Sequence, residues 1–149
     1  MISSISRLFT RRGKIPHKYR RELQEEDIVF SAERIPGKLL IETINGPHGH
    51  SNLSTEEITG CLIITSSRLF WSTTRRHLVN LPFNDPEDFR YRSLHVRTSM
   101  PNLLAISYNA IDMLEGWEGV WEFRFTIPDP QKTCETLLRL GLKQGTVNE

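Results

Sequence analysis

The sequence predicts a mainly β protein: seven antiparallel strands bent into a partly open barrel, closed by one C-terminal helix. Three observations carry that expectation. Residues 59–83, TGCLIITSSRLFWSTTRRHLVNLPF, hold apolar runs at 61–64, 69–71 and 77–81, split by polar breaks at 65–68 and 72–76. These runs are rich in β-branched and aromatic residues and too short for helices. Residues 120–127 alternate, with Trp121, Phe123, Phe125 and Ile127 on one face and Glu122, Arg124 and Thr126 on the other. Residues 130–142 place Cys134, Leu137, Leu138 and Leu142 on one helical stripe. A partly open barrel leaves one apolar end uncovered, and an amphipathic helix can stopper it.

A chain of 149 residues suits one domain with a core of its own, and its 38% apolar and 25% charged content is that of a soluble globular protein. No run approaches the ~20 apolar residues needed to cross a bilayer. Cys61 falls in an apolar strand and Cys134 on the apolar side of a helix, so both read as buried thiols in a reducing compartment and not as a disulfide. The net charge of +1 is unevenly spread: residues 1–21 hold seven Lys/Arg and no acid, and residues 22–149 hold twelve Lys/Arg against eighteen Asp/Glu, a net −6.

The elements follow in order. Residues 1–27 form a basic tail and a short helix, the folded domain runs over 28–145, and 146–149 fray. In the tail, Ile2, Ile5, Leu8 and Phe9 can share a helix face opposite Arg7 and Arg11. Three readings stay open for it: a solvated tail, a surface that meets anionic lipid through Arg7, Arg11, Arg12, Lys14 and Lys18, and a mitochondrial presequence. The short helix spans 17–27, with Pro16 at its first turn and Tyr19 and Leu23 on one face. Residues 28–32 are an apolar lead-in, Pro36-Gly37 is a turn, and the first strand is 38–45. A long loop then reaches to residue 57. Its His48 and His50 have no partner at ligand spacing, so they read as solvated and no metal is expected.

Further strands fall at 59–65, 68–72, 77–82, 93–99, 103–109 and 120–127. Trimming an aromatic of the last to Ala should cost ~3–5 kcal/mol if its face is buried. Asp129 caps the closing helix, Pro130 occupies its first position, and Gly141 and Gly145 mark its end.

Seven strands and a closing helix are the arrangement of pleckstrin-homology (PH) domains, and the residues add a resemblance. GCLIITSSRLFWS is similar to the hairpin of the GRAM and PH-like superfamily: an aliphatic strand ending in Thr, then Arg, an aliphatic residue, an aromatic and Trp. More narrowly, residues 35–73 resemble the PH-like repeats of the ciliary BBSome subunit associated with Bardet–Biedl syndrome, with Pro36-Gly37, Thr65, Arg68 and Trp71 in matching order. That subunit carries two tandem repeats, this chain has room for one, and the first loop differs in composition. The resemblance implies a non-catalytic interaction or adaptor module, cytoplasmic or membrane-peripheral, in a ciliary trafficking complex at the cilium or basal body. Its alternatives are an acidic-phospholipid (phosphoinositide) binding domain and a small mitochondrially targeted protein.

Motifs for catalysis are missing: no Gly-rich phosphate loop, GxSxG, HExxH or CxxC occurs. Asp85, Glu87 and Asp88 read as a solvated acidic turn, and His77 and His95 could be strand neighbours but have no nucleophile beside them. Neither enzyme activity nor a cofactor is expected. Candidate ligands for acidic headgroups are Arg68, Arg75 and Arg76, since guanidinium forks suit phosphate oxygens; the first strand-to-strand loop contributes no Lys or Arg. A protein partner is expected at an open sheet edge or the groove beside the closing helix, with Trp117 in LEGWEG as an anchor. Nucleic-acid binding through Arg90, Arg92 and Arg97 is opposed by the acidic body.

Overall fold

The alternating segments form strands. A computed structural model describes residues 14–45, 52–74, 78–82, 94–99, 101–113, 116 and 118–145. In chain order these make α1 (His17–Gln24), β1 (Ile28–Asn45), β2 (Asn52–Thr65), β3 (Arg68–Thr73), β4 (Leu78–Pro82), β5 (His95–Ser99) and β6 (Leu103–Asn109). A 3-10 turn (Ala110–Asp112), β7 (Glu118–Thr126), α2 (Pro130–Arg139) and β8 (Lys143–Gln144) complete them. The protein is mainly β with a C-terminal helix, as expected, and eight strands are present among the described residues where seven were predicted. The additional one, β8, pairs parallel to β5 over two residues, too short for any periodicity to announce.

The chain divides into two compact units, Met1–Pro36 with Ile58–Asn84, and Gly37–Glu57 with Asp85–Glu149. β1 and β2 are long enough to contribute to both. α1 packs as part of the first unit.

In the first unit the strands run in the order β4-β3-β2-β1, with β3 antiparallel to both β2 and β4. Pairing sets Ile63 opposite Phe70 and Cys61 opposite Ser72 on one face, and Leu62 opposite Trp71 and Ile64 opposite Leu69 on the other. The first face is covered by α1: Leu23, 1% exposed, clusters with Cys61, Ile63 and Phe70, and Ile15 and Tyr19 pack against them. The Tyr19 ring lies 5.1 Å from that of Phe70. The predicted Tyr19/Leu23 face is the one that makes these contacts.

In the second unit the order is β1-β7-β6-β5-β8, antiparallel as far as β5. Trp121, Phe123, Phe125 and Ile127 are buried, as their alternation requires, together with Val96, Leu104, Ile106 and Tyr108. α2 packs on β5 and β6 and buries Thr133, Cys134 and Leu137. Asp129 caps α2 by accepting from the Lys132 amide, and Pro130 sits at its first turn. The helix stops at Arg139, three residues short of the expected 142, where Gly141 takes φ +117°, a conformation glycine adopts without strain. Both cysteines are buried and free.

Two further expectations are corrected. Pro36-Gly37 is no turn: β1 continues through it from Ile28, so the lead-in at 28–32 and the strand at 38–45 are one strand. Gly37 lies opposite Phe125, and a Cβ there would collide with the Arg124 carbonyl oxygen, so this glycine allows close strand approach. The loop expected to reach residue 57 is shorter, because β2 begins at Asn52. Its NLSTEE start is polar and leaves Leu53 exposed, so the ladder to β1 and not burial makes it a strand.

Candidate functional site

Thr65 and Arg68 stand where β2 turns into β3, on the face that α1 covers. The amides of Ser67 and Arg68 donate to Thr65 Oγ1 at 3.0 and 2.9 Å, and that hydroxyl donates to Glu26 at 2.6 Å. Arg68 then uses its whole fork on its own chain. Its Nε donates to Glu26 Oε1 (3.1 Å), Nη1 to Asn80 Oδ1 (3.3 Å) and Nη2 to Glu22 Oε1 (3.0 Å), with Nη2 also against Glu26 Oε2. Burial pushes the guanidinium pKa down, and the hydrogen bonds and charges of Glu26 and Glu22 more than reverse that. A phosphate headgroup at Arg68 would have to displace two carboxylates; in the fold the residue pins α1 to the hairpin.

Arg75, Arg76, Trp117, Arg7, Arg11 and Arg12 lie outside the described residues, as do His48, His50, His77, Arg90 and Arg92. Lys14 and Lys18 are described. Lys18 is exposed, its ammonium 5.3 Å from the Tyr19 ring centroid. Lys14 lines an open concavity of about 610 Å³ with Ile15, Pro16, His17 and Arg20. Arg20 is tied there to Glu33 at 3.2 Å, and Glu33 also accepts from the Ile15 amide at 2.7 Å.

A second concavity lies on the second unit, and the register builds it. His95 pairs with Ser107 and Ser107 with Glu122; Arg97 pairs with Ala105 and Ala105 with Arg124. Side chains at paired positions share a face, so these six stand together, on the face away from Val96, Ile106 and Phe123. The resulting recess is open, about 440 Å³, and Val120, Asn109, Gln144 and Gly145 also line it.

At its floor Arg97 grips Glu122 with two bonds, Nε to Oε2 at 3.1 Å and Nη2 to Oε1 at 2.9 Å. Arg124 donates its Nε to the same Oε1 at 2.7 Å. The Arg97 and Glu122 side chains are 11% and 17% exposed, and that of Arg124 is 34% exposed. Burial alone would raise the Glu122 pKa, but the hydrogen bonds and charges of Arg97 and Arg124 outweigh it and hold the carboxyl below its ordinary value. Two guanidiniums share one carboxylate, which leaves the cluster a net positive charge.

Of the three charged residues at the floor, the sequence singled out only Arg97, and for nucleic acid; His95 was weighed there for catalysis alone. Glu122 and Arg124 read merely as the wet face of a strand. The available signal was the polar set at alternate positions in three strands, and it becomes a site only once the register is known.

Groups with raised pKa values lie away from this floor or face inward. Burial raises the Cys61 thiol against an opposing hydrogen bond with Ser72 at 3.3 Å. It raises the Cys134 thiol and the Tyr108 phenol likewise. Among the described residues no group of three His, Cys, Asp or Glu is placed to hold a metal ion, and no helix is long and apolar enough to cross a membrane. No family model and no curated protein matches this chain.

Proposed function

We propose that this chain is a non-catalytic, PH-like protein-interaction module, an adaptor that presents the outer face of β5, β6 and β7 to a partner. The observation that carries this reading is the recess on that face. It is open and lined by polar groups on a rigid sheet, and its charged side chains are held in place by one another. That is how a recognition surface is preorganised. The order of seven antiparallel strands before an amphipathic helix supports the PH-like part. The ciliary trafficking address rests on the likeness of residues 35–73 to the BBSome repeats.

The test is affinity capture from a ciliated-cell lysate with the full chain and with Ser107→Tyr, which fills the recess from the middle of β6. Partners held by the wild type should be lost from the variant. An unchanged set of partners contradicts the assignment of the face.

Acidic-phospholipid binding is the second reading. It draws support from the concavity beside α1, where Lys14 and His17 stand with Lys18 close by. Because α1 is packed into the first unit, the informative variant is Lys14→Gln, Lys18→Gln and not removal of the segment. Phosphatidylserine liposomes should float the wild type at low salt and the variant less well. Equal flotation removes this surface from consideration.

A further inference from the structure

We propose that the recess on β5, β6 and β7 receives an acidic side chain from an extended peptide, with Arg124 as the receiving group. This deepens the interaction-module reading and rests on it. Glu122 takes the Nε hydrogen bond of Arg124 and so aims the guanidinium, while none of the described residues accepts from its two Nη groups. Those groups form the parallel donor pair that matches a carboxylate. The residue is one-third exposed at the wall of the recess, so a ligand can reach it.

Charge complementarity names the occupant. Residues 22–149 carry a net −6, yet at this spot two arginines face one glutamate, with His95 in the same recess. Lys38, the cross-strand neighbour of Arg124, is itself paired with Glu57 at 3.8 Å. A singly charged carboxylate balances the surplus. A doubly charged phosphate would meet repulsion from Glu122 in the same cluster. A volume of about 440 Å³ admits a few side chains. Val120, 39% exposed, lies four residues before Arg124 on the same strand face, about 13 Å along the strand, and offers an apolar spot for a second side chain of the same peptide.

The experiment is fluorescence anisotropy of fluorescein-labelled octa-glutamate, with octa-glutamine as control, titrated with the full chain. The wild type should bind octa-glutamate and not octa-glutamine. Arg124→Gln should weaken binding about ten-fold, and Glu122→Gln, which removes the opposing charge, should tighten it. The basic tail also attracts acid, so the comparison is repeated with Arg7, Arg11 and Arg12 changed to Gln, and the Arg124→Gln effect should persist there.

Binding unchanged by Arg124→Gln, or equal affinity for octa-glutamine, overturns the proposal. So does an Arg124→Gln defect seen with phosphatidylserine vesicles and absent with the peptide, which would make a lipid surface the ligand. The two readings fail separately. If Ser107→Tyr loses captured partners while octa-glutamate does not bind, only the acidic-peptide inference falls; if Ser107→Tyr loses none, the interaction face falls with it.

Discussion

Replacing Arg68 with Met tests whether one side chain holds α1 to its sheet. Methionine keeps the apolar stem and removes every donor, so Glu26, whose side chain is 15% exposed, is left with the Thr65 hydroxyl as its donor among the described residues. Breaking a fully buried ion pair from one side costs about 3–5 kcal/mol, because the remaining charge stays desolvated. The Glu22 arm is 56% exposed and adds little, and Glu26 regains some water, so the expected loss is about 2–3 kcal/mol. Glu22→Gln alone should cost under about 1 kcal/mol. The double variant Arg68→Met, Glu26→Gln should recover part of the loss, since it leaves no stranded charge. Urea unfolding followed by tryptophan fluorescence gives all of these. An Arg68→Met protein within about 0.5 kcal/mol of wild type would refute the reasoning and return Arg68 to the pool of available ligands.

Other outcomes follow from the same geometry. Gly37→Ala should destabilise by about 3 kcal/mol, the upper end of the usual overpacking cost, since its methyl meets backbone of β7; a near-neutral value in urea unfolding would show that the strands are not so close. Phe123→Ala should cost ~3–5 kcal/mol by the same assay, and a small loss would mean its face is not buried. Glu122 has a folded-state pKa below its ordinary value, so its stabilisation is complete above pH 4.5 and fades as acidification carries the pH below that through the lowered value. Stability measured from pH 7 down to pH 3 should therefore fall less steeply for Glu122→Gln, and parallel curves would contradict the ion cluster.

Much of the fold was legible because burial writes a period into the chain. The alternation of Trp121, Phe123, Phe125 and Ile127 survives intact, as do the Asp129 cap and the Tyr19/Leu23 face. Where the sequence misled, local preference lost to long-range pairing. Pro36-Gly37 has the composition of a turn, yet β7 needs a residue without Cβ at Gly37 to approach β1. NLSTEE has no core pattern, yet it is drawn into β2 by its partner strand. The site was harder still. Arg68 announced itself by its place in a recognisable hairpin, but its carboxylate partners lie 42 and 46 residues away in sequence. Arg97, Glu122 and Arg124 carry no motif, and only the register of β5, β6 and β7 brings them together.

The most direct test of the proposed interaction face is a 1H–15N correlation spectrum of the full chain, recorded with and without a protein captured by the wild type. The interaction-face account predicts that the amides that move cluster at His95, Arg97, Ser107, Glu122 and Arg124. Shifts confined to α1, or to the β2–β3 hairpin around Arg68, with the β5–β7 face unmoved, would contradict it.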